Sequence, residues 1–83
     1  MNSKIKNKLL AQFSSQDQAD ALSEMESITL QHVMAKSQTN LDNTLLAILE
    51  LSKGNLTELE SLVKAAKKDF RDVIYWASLE KNK

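Results

Sequence analysis

The sequence predicts an all-α protein, a small bundle of three or four helices that ends in a helical hairpin. Three observations carry this prediction. The 83-residue chain has no proline and one glycine, which is too few turn residues for a strand-rich fold. Its aliphatic residues recur three or four positions apart, the spacing of a helix face. A chain of this length forms at most one domain, over residues 1–83, with a small core.

The first helix is predicted within residues 1–14. Ile5, Leu9 and Phe13 stand four positions apart on one helical face, and Lys4 and Lys8 lie off that face. A basic amphipathic start of this kind can dock on a membrane or in a partner's groove. Because about three turns are marginal alone, we expect either a short helix that covers the core or a frayed end.

The second helix is predicted over residues 16–36. Ser15 followed by Gln18 matches a capping box, so the helix begins there. Its apolar spacing is less regular, and the segment ITLQHV at residues 28–33 also alternates like a strand. A lone strand leaves its backbone groups unpaired, and the sequence offers no second strand. We therefore predict helix through this segment.

The third and fourth helices are predicted to form a hairpin over about 40–53 and 55–80. A polar break provides Thr39 or Asn40 as the N-cap of the first arm. Gly54 ends that arm as a left-handed residue. Asn55, with Glu58 three positions on, caps the second arm. A stop and a restart this close together predict antiparallel arms.

The last helix is predicted to be continuous, because its apolar residues keep one phase. They are Leu56, Leu59, Leu62, Val63, Ala66, Phe70, Val73, Ile74 and Ala77, and they fall within an arc of about 120°. Asp69 is also a good N-cap. A kink or restart near Lys68 and Asp69 is therefore the alternative.

The last helix also carries the candidate partner surface: Lys64, Lys67, Lys68, Arg71, Tyr75 and Trp76. On a continuous helix the four cations share one flank, with Tyr75 a turn beyond. Such a flank can hold a phosphate or an acidic partner segment. The simpler interpretation is a solvated face, or pairing with Asp17, Asp20 or Glu24 of the second helix. Trp76 lies on the other flank with Asp69 and Asp72, at the rim of the core or in an interface.

The sequence contains no recognisable catalytic or cofactor-binding motif. Without cysteine there is no disulfide framework and no thiolate metal site. A single glycine cannot build a phosphate-binding loop. His32 is the only histidine, and no partner motif accompanies it. Asp69 and Asp72 lack a third ligand at a suitable spacing. We therefore expect no enzyme, no cofactor, no metal and no small-molecule ligand.

Charge and hydropathy limit the classes of partner and the cellular compartment expected for the protein. The formal net charge is zero, which argues against a globally electrostatic nucleic-acid binder. The charge is segregated, since residues 1–13 carry three lysines and no acid, whereas residues 14–31 carry four acids and no base. No apolar run approaches the length of a membrane span. The basic start lacks the apolar block of a secretory signal. A reduced, cytoplasmic setting is the natural expectation.

Residues 54–80 also resemble a known group of proteins. The Gly-polar-Leu start at Gly54 and the run Asp69, Phe70, Arg71, Asp72 and Val73 resemble the C-terminal part of small, uncharacterised bacterial all-helical proteins. The resemblance covers about a third of the chain and brings no activity and no cofactor. It implies a bacterial, cytoplasmic helical protein.

The function expected from these observations is non-catalytic protein interaction or scaffolding. Because the core is small, a homodimer is also expected, with Tyr75, Trp76 and the broad Leu46 and Leu51 surface as contacts. The alternative is an accessory nucleic-acid-binding protein that uses the basic flank of the last helix.

Overall fold

The computed structural model describes residues 1–81. In that part of the chain it has four α-helices and no strand, which confirms the predicted all-α bundle. The helices are α1 (Ser3–Gln12), α2 (Ser15–Glu26), α3 (Gln38–Ser52) and α4 (Leu56–Lys81), and short 3-10 turns occupy Leu30–His32 and Met34–Lys36. None of the helices in residues 1–81 has the length and apolar character needed to cross a membrane.

Helix α1 covers one side of the core. The Asn2 side chain caps it by accepting a 2.9 Å hydrogen bond from the Ile5 backbone N–H. Ile5, Leu9 and Phe13 are all buried. A helix of ten residues is marginal in isolation, so its burial against the other helices is what stabilises it.

The start of α2 differs by one residue from the prediction. Ser14 rather than Ser15 is the N-cap residue, and its side chain makes no capping hydrogen bond. The Gln18 side chain instead donates 3.1 Å hydrogen bonds to the carbonyls of Leu10 and Phe13. These carbonyls at the end of α1 have no partner within their own helix. Gln18 therefore ties the end of α1 to α2 rather than closing a capping box.

The predicted helix over 16–36 is wrong beyond Glu26. The Ser27 hydroxyl donates to the Glu24 carbonyl at 2.6 Å, and Ala35 and Lys36 adopt positive φ angles of 58° and 49°. Ser and Thr side chains compete for the backbone hydrogen bonds of a helix. The irregular path also buries both Ile28 and Val33, which a regular helix would point about 140° apart.

Helix α3 packs mainly against α4 and also contacts α1 and the two 3-10 turns. It begins at Gln38, two residues before the predicted start, because Ser37 is the N-cap and accepts from the Asn40 N–H at 3.2 Å. The Asn40 side chain donates to the Met34 carbonyl instead. Its buried residues are Thr44, Leu45, Ala47, Ile48, Leu49 and Ser52.

The turn between α3 and α4 confirms the predicted hairpin. Lys53 and Gly54 both adopt the left-handed region, with φ of 50° and 82°. The Asn55 side chain then accepts the Glu58 N–H at 3.0 Å. Gly54 also lies against α1, since a Cβ atom there would stand 2.6 Å from the Gln12 carbonyl oxygen. The turn therefore needs glycine for its backbone angle and for its contact with α1.

Helix α4 is broken at Asp69, so the prediction of one continuous helix is wrong and the alternative of a restart is what the structure has. Asp69 has φ −157° and ψ 102° inside a helix of 26 residues. A straight helix of that length would span about 39 Å, whereas the longest dimension of the protein is 34 Å. The Glu80 carboxylate lies 4.0 Å from the ammonium of Lys53, in the turn between α3 and α4. The distal half (residues 70–81) therefore folds back beside the proximal half (residues 56–68).

Substitution of Gly54 tests the contact between the turn and α1. We expect Gly54→Ala to lower the free energy of unfolding by about 2 kcal/mol, because alanine is strained at positive φ and its Cβ overlaps a backbone oxygen. Urea denaturation measures the loss. Lys53→Gly is the matched control. It changes a neighbouring left-handed residue that is exposed, so its stability should stay within about 0.5 kcal/mol or rise. Equal losses in both variants would contradict this account.

Candidate functional site

The distal half of α4 is apolar on two sides. Val73 and Ala77 are buried against the rest of the protein. On the other side Tyr75, Trp76 and Leu79 are 60%, 41% and 47% exposed, within an arc of about 100°. We call these three residues the outer face. Large apolar side chains that lie together on a surface often mark an interaction site, and residues 1–81 leave these three exposed.

The residues predicted as a partner surface are divided by the break at Asp69. The three lysines, Lys64, Lys67 and Lys68, lie on the proximal half, whereas Arg71, Tyr75 and Trp76 lie on the distal half. All six are exposed. The single flank derived from a straight helix therefore does not exist in the folded chain. Two groups take its place, a lysine group and the outer face, and their binding of a partner stays a prediction.

The lysine group does not pair with α2. Within residues 1–81 no ion pair joins Lys64, Lys67 or Lys68 to the acidic residues of that helix. Lys64 does line a cleft of about 270 Å³ together with Glu24, Thr57, Glu60 and Ser61. The carboxylates of Glu24 and Glu60 reduce the positive potential around Lys64. Lys67 and Lys68 do not line this cleft.

Asp69 holds the break through its carboxylate. Its Oδ1 accepts the Arg71 backbone N–H at 3.1 Å and the Arg71 Nε at 3.0 Å. Its Oδ2 accepts Nη2 of the same guanidinium at 3.0 Å. The hydrogen bond from the Arg71 side chain lowers the pKa of Asp69, and the same bond raises the pKa of Arg71. Arg71 is therefore engaged within the chain by Asp69, rather than by the acidic residues of α2 that the sequence offered as partners.

A groove of about 320 Å³ runs between α3 and the distal half of α4. Its apolar floor comes from Leu46, Ala47, Ile74 and Ala77, and its rim from Asn43, Glu50 and Ser78. Glu80 near the end of the distal half approaches Lys53 at the end of α3, so the two helices run in the same chain direction. The groove thus marks the seam along which the distal half packs on α3.

The single histidine has a structural role. His32 Nδ1 accepts the backbone N–H of Thr29 at 3.0 Å and closes the first 3-10 turn. It lines none of the four best-defined clefts in residues 1–81. In the same residues no cluster of three His, Asp or Glu side chains is suited to hold a metal ion. The candidate site consists of the lysine group and the outer face.

Sequence reasoning missed Leu79 as a member of this surface. It stands four positions after Tyr75 and three after Trp76, and side chains at these spacings are neighbours on a helix. That spacing was available in the sequence. The exposure of Leu79 was not, because it depends on where the distal half packs.

No protein-family model, no curated protein and no solved structure matches this chain. The resemblance of residues 54–80 to small bacterial helical proteins therefore stays a prediction, and the function is inferred from the exposed surfaces.

The pH dependence of stability tests the Asp69 and Arg71 pair. The pKa of Asp69 lies below its ordinary value of 3.8, so its stabilising effect is present above that pH and is lost as the pH falls through the lowered pKa. We expect Asp69→Asn to melt a few degrees below the wild type at pH 7, and the gap to close at pH 2. Circular dichroism melts measure both. In an Arg71→Met background most of this pH dependence should vanish, and its persistence there would refute the pairing.

Proposed function

We propose that this protein is a non-catalytic interaction module whose outer face is covered by another protein. The observation that supports this most strongly is the second apolar side of the distal half of α4, which residues 1–81 leave exposed. Tyrosine and tryptophan combine large apolar area with a polar tip, and they dominate the binding energy of many interfaces. We place this activity in a cytoplasm, as the absence of cysteine predicts.

The charge beside the outer face indicates the chemistry of the partner. Asp72 is exposed and lies three, four and seven positions before Tyr75, Trp76 and Leu79, so it borders all three on the helix surface. A partner with an apolar side chain flanked by arginine or lysine would fill the face and pair with Asp72. The same cation would stack on the aromatic rings. We therefore propose a basic amphipathic segment as the partner.

The size of the outer face indicates how it binds. At these exposed fractions, the two aromatic side chains present roughly 100 Å² each. A stable interface buries about 800 Å² on each partner. The outer face is thus the central anchor of such an interface, and polar residues around it must form the rim. Affinity would then depend on the three anchor residues rather than on total area.

The alternative function is binding of nucleic acid by the lysine group. The observation in its favour is that Lys64, Lys67 and Lys68 are exposed and unpaired within the described residues. Glu60 beside Lys64 and the engagement of Arg71 by Asp69 weaken it. Retention on DNA or RNA that falls with a salt slope of about 2 to 3, and that disappears in a triple lysine-to-alanine variant, would favour this alternative.

The only tryptophan of the chain gives a direct test of the outer face. We expect an amphipathic helical peptide with leucine on one side and arginine on the other to shift the Trp76 emission to shorter wavelength. A peptide with glutamate in place of arginine should bind at least about tenfold more weakly, because Asp72 repels it. Titration by fluorescence gives both affinities.

Charge reversal provides the matched control for this test. Asp72→Lys should exchange the preference between the two peptides. Asp20→Lys makes the same change on an exposed residue of α2 and should leave the preference unaltered. Leu79→Ala should weaken both peptides. An emission that no peptide shifts, or equal affinities in the wild type, would refute the proposed partner chemistry.

A further inference from the structure

The segment that forms α4 is compatible with an unbroken helix as well as with the broken one. Residues 56–81 contain no glycine and no proline, the usual causes of a helix break. If α4 were straight, Leu59, Ala66, Val73 and Ala77 would fall within an arc of about 40°. The same four residues are buried in the broken form. One apolar pattern therefore suits both conformations.

The broken form depends on a single residue. Asp69 is the only non-helical residue between Leu56 and Lys81. The bonds that hold it there are exposed, with the Asp69 and Arg71 side chains 35% and 66% accessible. Exposed ion pairs of this kind contribute little to stability. Straightening the helix would thus change one pair of dihedral angles and remove one cap.

Straightening would uncover apolar surface on both sides of the seam. The distal half would leave α3 and expose Val73 and Ala77, and α3 would lose its cover over Leu46 and Ala47. A second copy in the same state offers both missing surfaces. The zero net charge leaves no long-range repulsion between the copies.

We infer that the chain forms an exchanged dimer, in which α4 is straight at Asp69 and residues 70–81 of each copy pack on α3 of the other. The monomer with the broken α4, which we call the closed form, has the same contacts with α3 as the exchanged dimer. The balance between the two is therefore set by the backbone at Asp69, which we call the hinge, and by protein concentration. The inference goes beyond the proposed function and is independent of it, because the exchange leaves the outer face exposed.

Two substitutions of Asp69 distinguish the effect of a straight helix at this position from the effect of losing the carboxylate. Both Asp69→Ala and Asp69→Gly remove the carboxylate and its bonds to Arg71. Only alanine favours a helix through the hinge, whereas glycine disfavours it and is a tolerated cap residue. We expect the dimerisation constant of Asp69→Ala to rise about tenfold per hinge, hence about 100-fold for two hinges. Asp69→Gly should remain monomeric at the same concentrations, and light scattering gives both masses.

A distance within one chain then identifies exchange. The chain has no cysteine, so spin labels can be placed at Lys53→Cys and Glu80→Cys, whose native side chains approach to 4.0 Å in the closed form. In the closed form the labels should lie roughly 20 Å apart or less. A straight α4 carries Glu80 about 36 Å from Leu56, so the distance should approach 40 Å. Dilution of the labelled chain with unlabelled chain isolates the distance within one copy.

The exchange is supported by a dimeric Asp69→Ala protein with the long distance and a monomeric Asp69→Gly protein with the short one. Equal masses for the two variants, or a dimer that keeps the short distance, would overturn it. If circular dichroism shows that Asp69→Ala does not fold, the wild-type protein provides the test of exchange. Refolded at millimolar concentration, it should yield a minor dimer with the long distance, and a purely monomeric product would refute the inference. The peptide titration of Trp76 is unaffected by either outcome.

Discussion

The rest of this structure depends on the break of α4 at Asp69, which is capped by the Asp69 carboxylate. By accepting the Arg71 backbone N–H and its guanidinium, it starts a new helix where the old one would continue. The distal half of α4 then returns along α3 and completes the core with Val73 and Ala77. Without that turn these residues would extend beyond the bundle into water. The groove beside α3 and the outer face both follow from it.

The core is assembled economically around α3. Helix α1 closes one side through Ile5, Leu9 and Phe13, and the distal half of α4 closes another. The turn between α3 and α4 brings Gly54 against the last carbonyls of α1. A chain of this size buries only about 60% of its unfolded surface. The helix ends therefore also serve as packing surfaces. At Gly54 even a methyl group would overlap the Gln12 carbonyl oxygen.

The break also determines what the surface can do. It divides the cations of the last helix, since the lysine group stays on the proximal half and Arg71 is held by Asp69. It turns Tyr75, Trp76 and Leu79 outward as one apolar face with Asp72 at its edge. We propose a protein partner for this face rather than a nucleic acid, because the break separates Arg71 from the lysine group. The same break is the hinge of the exchanged dimer that we propose.

The sequence by itself determined the all-α class, the apolar side of α1 and the hairpin at Gly54 and Asn55, because these depend on side chains within one or two turns. It placed two caps a residue or more away from Ser14 and Ser37, and it read residues 28–36 as helix although Ser27 and Thr29 end that helix locally. It also named Tyr75 and Trp76 but not Leu79. Only the tertiary structure decided that α4 breaks at Asp69. The apolar spacing is the same for a straight and a broken helix, so the choice rests on whether α3 is in place to receive Val73 and Ala77.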